Sequence, residues 1–253
     1  KLNLFDGIDT TWSRIEGGDK IGDILYPLED NFNFSNPSAM IPKLLTAYKL
    51  LFKLPESHWK VIKLKELKAL IANCAGLYLE VASNQQNIVP HGDVTFKVEA
   101  INRSETKIVI KRISSPLIIF PALFQEYTLK MNEKYNLEST AGTFIGKDYS
   151  SPYWLKEKGT MGMYQVNDKS ILGYPEKLMK FPVKFHMSIN NIDIDFERNI
   201  VYKFNDPVEG EVYQPFTVLP EVTCSIKEKV IIFSDQKNKK IPVHILAGKD
   251  NIK

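Results

Sequence analysis

The sequence predicts an α+β chain, mainly β: an N-terminal helical hairpin followed by one or two immunoglobulin-like β-sandwiches. Three observations predict it. Apolar residues recur at spacings of three and four between residues 37 and 82, as one covered face of a helix requires. From Gly92 onward the period changes to two, the signature of strands with one buried and one wet face. Short strand-like runs then follow one another, separated by turn signals, which is the pattern of a sandwich.

Lys1 to Asn33 carries Gly7, Gly17, Gly18 and Gly22, which interrupt any long element. It is expected to run as short strands or irregular backbone threaded on Trp12 and Ile15, packed on a neighbouring domain. The opening Lys1-Leu2-Asn3, without methionine, is what a processed chain or a piece of a longer one would show. Asn36-Pro37 supplies a helix start, with Asn36 as cap and Pro37 in the first turn. Ile41, Leu44, Leu45, Tyr48, Leu51 and Phe52 make its stripe, and Pro55 closes it. Ser57 opens a second, longer helix whose period runs through Leu67, Leu70, Ile71, Cys74, Leu77, Tyr78 and Val81 to Ala82, before a polar exit loop from Ser83 to Pro90.

In the stretch from Gly92 to Ile113, Val94, Phe96, Val98 and Ala100 alternate with polar residues, Asn102 to Glu105 supply turn chemistry, and Thr106 to Ile113 reads as a return strand. The expectation is an antiparallel hairpin. Pro116 and Pro121 punctuate Leu117 to Phe120, Phe124 to Met131 alternates again, and Asn132 to Gly146 reads as turns. Phe181 to Ile189 and Ile192 to Phe204 form a second expected hairpin around Asn190-Asn191, two residues that tolerate positive φ. Val212 to Val218, Glu221 to Ile226, Val230 to Phe233 and Ile241 to Leu246 complete the strands, the last two flanking a turn that holds Lys237, Lys239 and Lys240. The expected division is 1–90 for the helical segment, 91–206 for a sandwich, and 207–253 for strands that complete it or belong to a second such domain.

The 253 residues, 43% of them hydrophobic, suffice for one large or two modest cores. With 33 Lys and Arg against 30 Asp and Glu, the net charge of +3 is too small and dispersed to indicate nucleic acid or an anionic membrane. No run reaches the roughly 18 apolar residues of a membrane span. Cys74 and Cys224 each sit on an expected apolar face and read as buried free thiols; no metal spacing joins them.

Catalytic signals are sparse. His58, His91, His186 and His244 are scattered and make no HExxH. There is no nucleophile elbow and no phosphate loop. Asp193, Asp195 and Glu197 share one strand face, which suits a solvated outer surface and, with additional loop ligands, calcium. Asn33-Phe34-Ser35 and Asn102-Arg103-Ser104 match the glycosylation sequon. No catalytic residue, metal ligand or cofactor site is assigned. The most distinctive text is aromatic: Tyr149, Tyr153, Trp154, Tyr164 and Tyr174 surround Lys156, Glu157 and Lys158. Aromatic faces beside polar groups suit a sugar ring and equally suit a domain interface. Tyr153, Trp154, Lys156 and Tyr164, together with Trp12 and Arg14, are therefore candidate glycan or interdomain contacts.

Four segments carry a resemblance: GIDTTWSRIEGG at Gly7 to Gly18, NCAGLYLE at Asn73 to Glu80, SPYWLKEKGTMGMY at Ser151 to Tyr164, and FERNIVYKFNDPVEGEVYQPF at Phe196 to Phe216. They resemble the region that follows the catalytic domain in large PIG-L (LmbE-like) family deacetylases of Bacteroidetes-type bacteria. That family acts on N-acetylglucosaminyl substrates through a zinc-binding AHPDDE-type segment, which this sequence lacks; His91-Gly92-Asp93 is not that motif. The resemblance implies a non-catalytic accessory or scaffold part of a longer exported enzyme, periplasmic, cell-surface or secreted, with the zinc domain upstream as its partner. A carbohydrate-binding module with its own glycan affinity is the alternative.

Overall fold

A computed structural model describes residues 6–119, 126–146, 148–174, 181–234 and 237–248. It is an α+β structure with helices first and sheets after. The helices are α1 (Asp19–Asp30), α2 (Ile41–Lys53) and α3 (His58–Cys74). The strands are β1 (Tyr78–Ser83), β2 (Asn87–Ile88), β3 (Asp93–Ile101), β4 (Ile108–Ser114), β5 (Ile118–Ile119), β6 (Tyr127–Leu129), β7 (Lys134–Phe144), β8 (Pro182–Ile189), β9 (Ile192–Asn199), β10 (Val201–Asp206), β11 (Gly210–Pro215), β12 (Thr217–Val218), β13 (Val222–Ile226) and β14 (Val243–Ala247). Phe120, Pro121, Phe124 and the start of the strand expected there lie outside the described residues, as do Lys1 to Asn3.

The N-terminal part holds three helices where a hairpin of two was expected. The glycines that argued against α1 are what seat it. A Cβ on Gly18 would stand 2.1 Å from the Trp12 carbonyl oxygen, and one on Gly22 would stand 3.1 Å from the Trp12 Cβ. Ile21 and Leu28 are buried, with Ile24 and Leu25 packed beside them, so the spacing of three and four was present under the glycines. Pro37 begins a short 3-10 turn (Pro37–Met40) that leads into α2. Five residues of the expected α2 stripe are buried; Phe52 is exposed, with the Lys60 ammonium 5.6 Å from its ring centroid. Ser57 caps α3 by accepting from the Lys60 backbone N–H at 3.1 Å.

The helix expected to reach Ala82 stops at Cys74, and Tyr78 to Ser83 is a strand instead. Leu77 N–H donates to Ala72 O at 2.9 Å and Gly76 N–H to Asn73 O at 3.0 Å, a Schellman motif with Gly76 at φ +58°. The apolar spacing of Leu77 and Val81 fits either element; Gly76 decides it.

The strands form a six-stranded sheet, β11-β10-β1-β3-β7-β5, and a four-stranded sheet, β6-β4-β8-β9, with two-stranded pairs β12-β2 and β13-β14. The expected hairpin from Gly92 to Ile113 does not exist: β3 pairs with β1 and β7, while β4 pairs with β6 and β8. Asn102 turns the chain out of the first sheet. It is 1% exposed, its Nδ2 donates to Thr106 O at 2.8 Å, and its Oδ1 accepts from Ser104 N and Oγ at 3.1 and 3.0 Å. Its amide is thus engaged inside the connection, so this sequon offers no free acceptor. A later crossing breaks the strand expected from Ile192 to Phe204. Ile200 is buried, its N–H donates to Phe181 O at 3.0 Å, β9 stays on β8, and β10 lies parallel to β1. The Asn190-Asn191 turn is as expected, with φ of 46° and 64°.

The region read as turns from Asn132 to Gly146 contains β7, 11 residues long and paired along its length with β3. Its polar side chains concealed it. Inward residues of both sheets and the helical stripes belong to a single buried core. At its centre Phe181 meets Phe216 edge-on at 5.1 Å and Phe144 at 6.0 Å, and Phe216 meets Phe96 at 6.1 Å. The C-terminal pair differs. Every residue of β14 is exposed, and Cys224 on β13 is exposed rather than inward. Val230 to Phe233 forms no strand.

Gly76→Ala places a Cβ 2.8 Å from the Arg103 Cβ at a left-handed φ. We expect a loss of about 1–3 kcal/mol, read as a lower urea midpoint at unchanged m-value; an unchanged midpoint would contradict the Schellman turn.

Candidate functional site

The outer face of the six-stranded sheet carries a groove of 740 Å³. Glu99, Lys97, Lys134, Lys203 and Glu211 are in its lining, and strand register adds Glu80 beside Glu99. Glu80 on β1 lies directly opposite Glu99 on β3, and both are buried, at 8% and 5% exposure. Like charges opposite one another destabilise a sheet, and burial adds a desolvation cost. Lysines on β10, on β7 and on β3 itself offset both. Lys203 on β10 reaches Glu80 Oε2 at 2.7 Å and Glu211 at 3.1 Å. Lys97 and Lys134 converge on Glu99 Oε1 at 3.0 and 2.6 Å.

Tyrosines complete the Glu80 end. The Tyr78 hydroxyl donates to Glu80 Oε1 at 2.5 Å, and the Tyr213 hydroxyl stands 3.0 Å from the same oxygen and 2.8 Å from Glu211 Oε2. Tyr213 has one proton and serves the two carboxylates in alternation. Burial, then these carboxylates, push Tyr213 up to about 12 and Tyr78 well above the ordinary phenol range. Desolvation opposes the charge on Lys203, yet its bonds to Glu80 and Glu211 win and raise it. Glu99 behaves in the same way. Burial favours its neutral form, and the hydrogen bonds from Lys134 and Lys97 outweigh that and hold its carboxyl below the usual range. Sequence reading missed this site, because Glu80 was placed on a helix and Lys134 in a turn.

The six candidate contacts from sequence fall in two places. Trp12 and Arg14 line a cavity of 140 Å³ with Trp59 and Lys63, and the Arg14 guanidinium lies 4.4 Å from the Trp59 ring centroid. Trp12 N–H also donates to the Tyr26 hydroxyl at 2.8 Å, which ties this turn to α1. Trp154 and Tyr164 line a separate cavity of 420 Å³ in the segment between β7 and β8. Tyr153 meets Trp154 edge-on at 4.9 Å and its hydroxyl accepts from Gly173 N at 3.3 Å, while Lys156 is exposed. Tyr153 and Lys156 therefore brace or flank that cavity.

One further arrangement joins residues that no local motif connects. On the four-stranded sheet, Ser114 Oγ stands 2.9 Å from His186 Nε2, and His186 Nδ1 stands 2.9 Å from Asp195 Oδ1. Arg112 also faces Nε2, at 3.2 Å, so Nε2 is an acceptor and Nδ1 carries the proton toward Asp195. Direct register of Arg112 with His186 and of His186 with Asp195 makes this a cross-strand ladder. Asp193, on the same strand, is paired with Lys111 at 2.6 Å. Among the described residues no three His, Cys, Asp or Glu stand where they could hold a metal ion, and no helix is long and apolar enough to cross a membrane. No protein-family model matches the chain, and no curated protein matches it.

Glu99→Gln would leave Lys97 and Lys134 without their carboxylate. We expect a loss of about 1–3 kcal/mol at pH 7. Because the folded carboxyl titrates below its unfolded value, its contribution is present above the ordinary value of 4.5 and is lost as pH falls through the lower folded value. Urea melts between pH 3 and 7 should show the two proteins converging in acid. A constant difference across that range would contradict the pairing.

Proposed function

We propose that this chain is a non-catalytic accessory module of a larger polypeptide, a scaffold that positions a PIG-L-type zinc deacetylase domain lying upstream of Lys1. The parent is read as exported, to the periplasm, the cell surface or outside the cell. The family text quoted above motivates the reading, and one structural observation carries it. The segment between β7 and β8 leaves large apolar side chains uncovered: Leu155, Met161, Met163 and Tyr164 are 58%, 102%, 73% and 66% exposed.

That exposure is built. Thr160 and Met163 exchange backbone hydrogen bonds at 3.0 and 3.3 Å, and Gly162 supplies φ +84°, which together hold Met161 at a turn tip. Ser150 anchors the start of the segment on Val218 by two bonds of 2.8 Å. Contiguous apolar surface rich in Met and Tyr is what interface cores present. The strand orders β1-β3-β7 and β6-β4-β8-β9, crossed by the connections at Asn102 and Ile200, support reading the two large sheets as an immunoglobulin-like sandwich.

A second reading, a carbohydrate-binding module, is favoured by the groove over Glu80 and Glu99, a concave site with convergent polar groups on rigid strands.

The test of the first reading is association in trans. The polypeptide encoded immediately upstream should bind this chain in calorimetric titration, and Met161→Asp with Tyr164→Asp should weaken binding at least tenfold. Absence of a zinc domain from the parent reading frame, or binding indifferent to both substitutions, would overturn it.

A further inference from the structure

We propose that the groove lined by Glu99 binds an acidic oligosaccharide, its carboxylate held at the Lys97–Lys134 end. The inference rests on the carbohydrate-binding reading and adds to it a site and a ligand class. The groove is electrically lopsided. At one end Lys97 and Lys134 face the single carboxylate of Glu99, with Arg103 also in the lining; at the other, Lys203 lies between Glu80 and Glu211. The positive end is also the open one, since the Lys97 and Lys134 side chains are 44% and 45% exposed and that of Lys203 is 17% exposed.

An ammonium has three donors, and Glu99 engages one from each lysine. The remaining donors stand ready for a second anion, with Glu99 fixing where they stand. Arg103 is held alongside: its guanidinium lies 5.8 Å from the Tyr78 ring centroid and donates to Gly76 O at 3.4 Å. Along the rest of the groove Asn84, Thr95 and Asn205 present amides and a hydroxyl of the kind that sugar hydroxyls pair with.

A peptide fits this surface poorly. A peptide added as a strand would need a free sheet edge, whereas β1 and β3 are hydrogen-bonded on both sides. A polynucleotide would need a basic stripe, and Glu99 and Glu211 interrupt any such stripe.

The test is calorimetric titration of the whole chain with tetragalacturonate, using cellotetraose as the uncharged control. Binding of the acidic sugar at least tenfold tighter than the neutral one is expected, weakening as salt rises. Lys97→Gln and Lys134→Gln, each at an exposed lysine, should weaken it about fivefold or more with unchanged circular dichroism, and Trp154→Ala should leave it untouched. Equal affinity for both sugars, or indifference to the lysine substitutions, would overturn the acidic-ligand inference and leave the carbohydrate-binding reading standing. Binding of neither sugar would overturn both.

Discussion

The edge-on contact of Phe181 with Phe216, extended by Phe144 and Phe96, is the interaction on which the rest of this structure leans. Phe96 and Phe144 belong to the six-stranded sheet, and Phe181 immediately precedes β8 of the four-stranded sheet. Neither sheet can leave its apolar face in water, so each needs the other's rings, and edge-on geometry adds to the area they bury. The same requirement explains why the chain crosses repeatedly between the two sheets. Asn102 and Ile200, at two of these crossings, are both buried and both hydrogen-bonded, as polar groups taken out of water must be.

Committing one face of the large sheet to that core determines the chemistry of the other. Alternation sends Glu80 and Glu99 outward, and antiparallel register sets them side by side. Two buried carboxylates in that position are tolerable only because Lys203 and Lys134 arrive from strands on either side and Lys97 joins them from β3 itself. The groove is therefore a consequence of sheet order: β10 and β7 had to flank β1 and β3 for the cations to reach. The exposed segment between β7 and β8 is a different kind of surface, apolar and loop-borne. It suits the contact proposed with a neighbouring domain, where the groove suits the polar ligand proposed.

Much of this was legible in the sequence where local chemistry and tertiary packing agree. The α2 stripe, the Ser57 cap and the Asn190-Asn191 turn are each set by residues within a few positions of one another. The failures share a cause. In α1, glycines needed for close approach to Trp12 look like helix breakers. At Leu77 to Ala82, one apolar pattern serves helix and strand, and only the left-handed Gly76 separates them. Between β3 and β4 the turn residues are real, yet they build an arch between sheets, because partner choice is settled by β1, β7 and β8 at long range. The candidate site suffered most, since Glu80, Glu99, Lys134 and Lys203 meet only after four strands are in order. Of the aromatic residues that stood out in the text, Trp12 lines one cavity and Trp154 and Tyr164 line another.

The claim that one phenylalanine cluster unites both sheets is tested most directly by native-state hydrogen exchange. Amides of Val98 in β3 and Met187 in β8 should open with the same free energy. Phe181→Ala, expected to remove about 3–5 kcal/mol, should lower both together. A fall confined to Met187, with Val98 unchanged, would show that the sheets are stabilised independently and would contradict the account.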